Sequence, residues 1–194
     1  MARNIDTTKI ERIKDATIQM IVGKGYGGAS ISEIAKTAGV AEGYLYRHYS
    51  SKSDLVQDLL HDSINSLIDR FEELTSQPYT VADVFEKLIR TLFLMAKNDV
   101  DRIKFLCILM NDYNFKVMDP QKERIKTLLT RMIENGHSSG EIRKDINEED
   151  IYLLSISYPI QFINLRLKGF VNTKELGEEE ILKVLSVCMN AIKC

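Results

Sequence analysis

The sequence predicts an all-α protein built as a small N-terminal three-helix unit followed by a larger helical bundle, about nine helices in all. Three observations carry this. Apolar residues recur at spacings of three and four through most of the 194 positions, and no segment shows convincing period-two alternation. Glycine and proline fall between the periodic segments, at Gly23 and Gly25, Gly39, Pro78, Pro120 and Gly140. A hydrophobic content of 44% with 28% charged residues belongs to a globular chain long enough to bury a core.

The first helix runs from about Thr8 to Lys24 with Ile10, Ile13, Thr17 and Met20 or Ile21 on one face, and Gly23 with Gly25 ends it. Tyr26 and Ile31 seal the base of the unit. Ser30 opens the next helix, with Glu33 three positions on completing a capping box, and Ile34, Ala35 and Ala38 as its small inner stripe. Gly39 stops that helix by taking the left-handed conformation, and Val40 restarts the packing. A third helix from Ala41 to Tyr49 buries Leu45 and leaves Glu42, Gly43, Tyr44, Tyr46, Arg47 and His48 outward. Two short helices joined by a glycine turn form a helix-turn-helix, and the outward residues are its candidate groove-facing surface. Lys52 starts the next helix, where its ammonium and nearby backbone N–H groups are suited to a phosphate.

From Lys52 to about Thr75 the pattern Leu55, Leu59, Ile64, Leu67, Ile68, Phe71, Leu74 persists for more than five turns, too long for the three-helix unit alone. The reading is a DNA-binding domain over residues 1–54 and a body over 55–194, with the helix at 55–76 connecting them and Gln77-Pro78 breaking it. In the body, Thr80 caps a helix to about Lys97 with Val84, Leu88, Leu92 and Met95 on its face. Asp99 to Tyr113 is read as helix, although FLCILM at 105–110 is also compatible with a buried strand. Asp119 is read as the cap and Pro120 as the first residue of a helix to about Asn135, before a loop at His137-Ser138-Ser139-Gly140. Asn147 with Asp150 opens an apolar helix to about Lys168, in which Pro159 predicts a kink, and Glu178 to Ala191 closes the chain.

One stretch carries more than periodicity. The order Gly25-Tyr26, then Ser30-Ile31, Ile34-Ala35 and Ala38-Gly39-Val40, then Gly43, Leu45-Tyr46, His48-Tyr49, Lys52 and Asp54-Leu55 resembles the DNA-binding domain of the tetracycline-repressor (TetR) family of bacterial regulators. The match covers about the first quarter to third of the chain. The resemblance implies that Tyr46, His48 and Lys52 meet the DNA backbone, that Ser30 or Ser32 adds contacts, and that Gly43 permits close approach. Ala41 and Arg47 join this candidate set. The bland readings are helix capping for the serines, surface packing for Tyr46 and His48, and solvated side chains for Lys52 and Arg47. Glu42 departs from the Lys or Arg common in the family; it either accepts from a cytosine amino group or points away. Tyr44 replaces a small residue, and its ring is placed to pack on a thymine methyl or on sugar.

The resemblance also implies a repressor that binds a palindromic operator as a homodimer and is released by a small molecule. The helices at about 150–168 and 178–192 are apolar around most of their circumference, which suits either the centre of the body or a four-helix interface with a second copy. For a mainly apolar or aromatic effector the candidates are Phe93, Phe105, Tyr113, Tyr152, Tyr158 and Phe162, the last two beside the expected kink. Most such residues are plain core in any helical body.

Charge gives modest support. Residues 1–52 hold eight Lys or Arg against five acids, a net of +3, which leaves −5 on the remainder of a chain whose net charge is −2. Cys107, Cys188 and Cys194 form no CxxC pair, so neither a disulfide framework nor a zinc site is expected. The N-terminus lacks a signal-like apolar core and no run approaches a membrane span, so the expected location is cytoplasmic. His48, His61 and His137 are scattered, and no phosphate loop, HExxH or nucleophile elbow is present, so no catalytic residue, metal ligand or cofactor is expected. The alternative from another class is a helical binding or adaptor protein that keeps the helix-turn-helix as scaffold only.

Overall fold

A computed structural model describes residues 7–170 and 175–194; Arg3 and Asp6 of the charge count lie outside them. Among the described residues the chain forms helices and no strands. They divide into two compact units. The first comprises the described residues up to Ser63 together with Lys104–Lys116; the second comprises Ile64–Ile103 and the described residues from Val117 onward.

In the first unit, α1 (Thr7–Gly28) runs past the expected stop, but its helical geometry breaks at Gly25, whose φ of 71° and ψ of 167° suit glycine alone. α2 (Ile31–Ala38) is capped by the Ser30 hydroxyl, which accepts from Glu33 N at 3.2 Å. It ends on Gly39 at φ 65°, with Val40 N donating to Ala35 O at 3.0 Å.

α3 is shorter than expected, spanning Glu42–Leu45 rather than 41–49. Beyond it three-residue bonds enter, Arg47 N to Tyr44 O at 3.3 Å and His48 N to Leu45 O at 2.9 Å, and Tyr49 N closes the turn on Leu45 O at 2.8 Å. Gly43 weakens the helix from within, and the chain turns so that Tyr49 is buried, its hydroxyl donating to Asp58 Oδ2 at 3.1 Å. α4 (Lys52–Leu74) follows with the expected length. At its start Asp54 Oδ2 accepts from Ser50 N at 2.9 Å, and Ser51 Oγ accepts from Asp54 N at 3.1 Å. Ile13, Ile21, Ile34, Leu45, Leu55 and Val56 are fully buried, so the residues that form the inner stripes of α1 to α4 form this unit's core.

The stretch 105–110 is helix, in α6 (Val100–Met110). Its last residues and the turn that follows pack in the first unit. Phe115 meets the Tyr26 ring edge-on at 4.9 Å and 82°. Gln57 clamps the backbone of Lys116, donating to its carbonyl at 2.9 Å and accepting from its N–H at 3.3 Å.

The second unit holds α5 (Val81–Asn98), α7 (Asp119–Ser139), a rod made of α8 (Glu148–Tyr152), a π-helical turn (Leu153–Ser157) and α9 (Tyr158–Leu167), and α10 (Glu178–Ile192). Thr80 and Asp83 form a reciprocal cap on α5, as Asn147 and Asp150 do on α8. Two expectations for α7 are corrected. Asp119 and Pro120 are its first two residues rather than cap and first residue, and the helix continues through Ser139 to a left-handed Gly140, φ 75°. The break expected at Pro159 takes the form of the π-helical turn just before it. Proline has no N–H to donate, and widening the preceding turn makes room for its ring.

The final helix is fastened at its start by Arg90, whose two terminal nitrogens donate to Glu178 at 2.7 and 2.6 Å. At its end Arg143 N donates to Ile192 O at 2.9 Å. Arg124 of α7 likewise holds Asp69 and Glu72 on the second half of α4, at 2.6 and 2.7 Å. No helix among the described residues is long and apolar enough to cross a membrane.

Candidate nucleic-acid interface

The segment from Ser30 to Lys52 brings most of the expected contact residues onto one short stretch of the first unit. Ser30 and Ser32 are exposed at the start of α2, and Ala41, Glu42, Gly43, Tyr46, Arg47 and His48 are exposed at and just after α3. Leu45 is the buried member, as its place in the motif requires. Tyr46, at 55% exposure, presents an aromatic ring to solvent beside Arg47.

Ser30 is already engaged: besides capping α2, its hydroxyl donates to Glu33 Oε2 at 3.2 Å. Glu33 also pairs with Lys24 at 2.5 Å, and the Lys24 ammonium together with the Ser30 hydroxyl holds its carboxyl below the usual carboxylate range. Neither Glu42 nor Arg47 has an ion pair among the described residues.

Two details differ from the plain sequence reading. Lys52 is half-buried, and its ammonium donates to the carbonyls of Tyr26 and Ala29 at 2.7 and 2.8 Å while lying 4.2 Å from the centroid of the Tyr26 ring. Two of its three N–H groups thus hold the end of α1 to the start of α4, leaving one for an outside ligand. Gly43 stands where a Cβ would meet nothing within 4 Å, and its φ is not positive. Nothing inside the fold requires glycine here, although glycine in a helix costs roughly 0.5–1 kcal/mol relative to alanine.

The expected effector residues do not form one group. Phe93 and Phe162 lie 6.1 Å apart and Tyr158 and Phe162 6.4 Å apart, all in the second unit beside the π-helical turn, with Tyr152 one turn earlier on the same rod. Burial pushes the Tyr152 and Tyr158 phenols above the ordinary tyrosine range. Phe105 is fully buried in the first unit. Tyr113, at 97% exposure, sits in the turn after α6 rather than on an inner helix face; that expectation is corrected because α6 stops at Met110, three residues short.

Sequence reasoning missed Ser155, whose fully buried hydroxyl has no hydrogen-bond partner among the described residues. It also missed Gln57, whose role depends on a backbone 59 positions away. An open groove of about 480 Å³ between the end of α4 and α7, with Glu72, Thr75, Arg124 and Arg131 in its walls, contains none of the expected residues. Among the described residues no group of three or more His, Cys, Asp or Glu is placed to hold a metal ion.

Residues 13–59 match the family described as bacterial regulatory proteins, tetR family. The chain is 26% identical over 142 residues to the fatty acid metabolism regulator protein of Bacillus subtilis, covering 72% of this chain and 73% of that one. Its fold is similar to a TetR family transcription regulator from Marinobacter aquaeolei, with a TM-score of 0.78 at 18% identity, covering 96% of both chains. It is also similar to the transcriptional regulator FadR from Bacillus subtilis in complex with stearoyl-CoA, with a TM-score of 0.76 at 19% identity over 92% of this chain and 97% of that one.

Proposed function

We propose that this chain, which belongs to the tetR family of bacterial regulatory proteins and is a DNA-binding transcriptional regulator rather than an enzyme, is a homodimeric repressor released from a palindromic operator by a small apolar molecule. The observation that carries the DNA side is the exposed segment 41–48, with a glycine at its centre that the fold itself does not need. Close approach of a duplex to that backbone accounts for the glycine. Ala41, Glu42, Gly43, Tyr44 and Arg47 face base edges. Ser30, Ser32, Tyr46, His48 and the remaining N–H of Lys52 meet phosphates. The protein acts in the cytoplasm, where the chromosome lies.

Dimerisation uses α9 and α10. On α10 the buried residues Val184, Cys188 and Ile192 recur every fourth position, while Leu182 and Val187 are turned outward at 51% and 44% exposure, and Leu165 of α9 is 41% exposed. A second copy meeting this face buries those side chains and sets two helix-turn-helix units on one duplex, which makes the operator palindromic.

The effector binds in the second unit beside the π-helical turn, among Phe93, Tyr152, Tyr158 and Phe162, with the Ser155 hydroxyl as the polar group in an apolar setting. The similarity to a regulator of fatty acid metabolism, and to FadR holding stearoyl-CoA, supports a long-chain acyl compound as the first probe. Titrating stearoyl-CoA and free stearate into a preformed complex of the protein with its upstream DNA tests this. Release by either, lost when Tyr158 and Phe162 are changed to alanine, supports the reading; release unaffected by those changes rejects the site.

A further inference from the structure

The recognition segment contains one large side chain that is held in place while its neighbours are free. The Tyr44 ring lies 4.8 Å from the His48 ring at a tilt of 48°, and Lys9 of α1 sets its ammonium 5.7 Å from the Tyr44 centroid. Tyr44 is half-buried by these neighbours, whereas Tyr46, Arg47 and Glu42 are exposed. The Tyr44 hydroxyl has no hydrogen-bond partner among the described residues.

These facts bear on how sequence is read. A long flexible side chain such as Arg47 adjusts to several base edges, and ordering it on binding costs rotamer freedom. A ring that already packs against two neighbours has less freedom to lose, and a phenol both donates and accepts, so its hydroxyl tests one position on a base edge. A misplaced partner there leaves a polar group unpaired rather than prompting an adjustment.

We propose that Lys9 and His48 are positioning residues for Tyr44, and that the Tyr44 hydroxyl is the group that reads a base edge in the major groove. Three side chains, one from α1 and two from the segment 42–48, thereby act as a single specificity unit. This rests on the operator-binding reading above. It replaces packing on a thymine methyl or sugar, the contacts considered from sequence, with a hydrogen bond made by a pre-set ring.

The test selects binding sites from random duplexes with the unaltered chain and with Tyr44→Phe, Lys9→Met, Lys9→Arg and His48→Ala, and measures affinity for each single-base variant of the selected site. Tyr44→Phe keeps the ring and its neighbours and removes only the hydroxyl. The expected result is a loss of about tenfold in preference confined to one base pair per half-site, with the same dependence of affinity on salt as the unaltered chain. Lys9→Met and His48→Ala blur that same base pair, and Lys9→Arg restores it. A role in folding alone does not single out one base pair. The proposal is overturned if Tyr44→Phe selects the same site with the same preference at every position, or if Lys9→Met and His48→Ala leave the preference at that base pair unchanged, whatever uniform loss His48→Ala adds through its phosphate contact. If the unaltered chain selects no sequence at all, the operator reading fails and this inference with it, an outcome distinct from a clear site that ignores the hydroxyl.

Discussion

Lys52 and Tyr26 are joined twice: the lysine ammonium donates to the Tyr26 carbonyl at 2.7 Å and stands 4.2 Å from the centroid of the Tyr26 ring. With the further bond to Ala29 at 2.8 Å, the first residue of α4 closes the end of α1, just where Gly25 breaks the helix and α2 is about to begin. A residue suited by sequence to phosphate binding is therefore also a fastener of the domain that presents the other contacts. Lys52→Met is expected to lower stability by about 1.5–3 kcal/mol, the range for hydrogen bonds to a charged group, as read from the urea midpoint. It should also reduce DNA affinity with a shallower salt dependence. A purely solvated lysine predicts no change in the midpoint.

Gly43 separates folding from binding in the opposite direction. A Cβ there meets no neighbour within 4 Å, so Gly43→Ala is expected to leave stability unchanged or raise it by about 0.5–1 kcal/mol. Operator affinity is expected to fall at least about tenfold, as a methyl group intrudes where the duplex approaches. Comparing the thermal midpoint with the binding constant of the one variant checks both halves.

Gly136 is the contrasting case. A Cβ at this buried position of α7 falls 2.4 Å from Ile142 Cδ1 and 2.9 Å from Val81 Cγ2, and both neighbours are themselves buried. Gly136→Ala gains up to about 1 kcal/mol in helix propensity and loses about 1–3 kcal/mol to overpacking, so net destabilisation is expected. Chemical denaturation of the variant reads this directly.

The cysteines differ in reactivity by place. Burial pushes the Cys188 thiol up to about 12, and its Sγ donates to Leu154 O at 3.1 Å, a carbonyl at the π-helical turn. The thiolate is the reactive form, so at pH 8 Cys188 stays protonated and unreactive. Cys107 is buried and Cys194 exposed. Alkylation of the native protein is expected to modify Cys194 alone, with Cys107 and Cys188 following only in denaturant; mass spectrometry of the digested protein counts the sites.

The helices were largely legible because each is written in local signals: Thr80 and Asn147 as caps, Gly39 as a stop, and the long apolar stripe of α4, which ends at Leu74 as its pattern indicates. The short α3 was harder to read, since Tyr49 turns inward to reach Asp58 nine residues on, and periodicity carries no record of that pull. The placement of Phe115 against Tyr26 is less visible still. It joins residues 89 positions apart, so a stretch that reads as body by its apolar run packs with the helix-turn-helix instead. The same limit hides Lys9 beside Tyr44. For the effector, aromatic content marked Phe93, Tyr158 and Phe162, whose rings lie near one another, and equally marked Tyr113, which the end of α6 leaves in solvent.

The central claim is sequence-specific DNA binding by a dimer through the 41–48 segment. The most direct test titrates the purified protein onto labelled DNA from upstream of its own coding region, with excess competitor, across a series of salt concentrations. The account predicts saturable binding of two chains per site, retained against competitor, with log affinity falling linearly and steeply against log salt. Binding that competitor abolishes equally for every sequence, or that shows no dependence on salt, would contradict it.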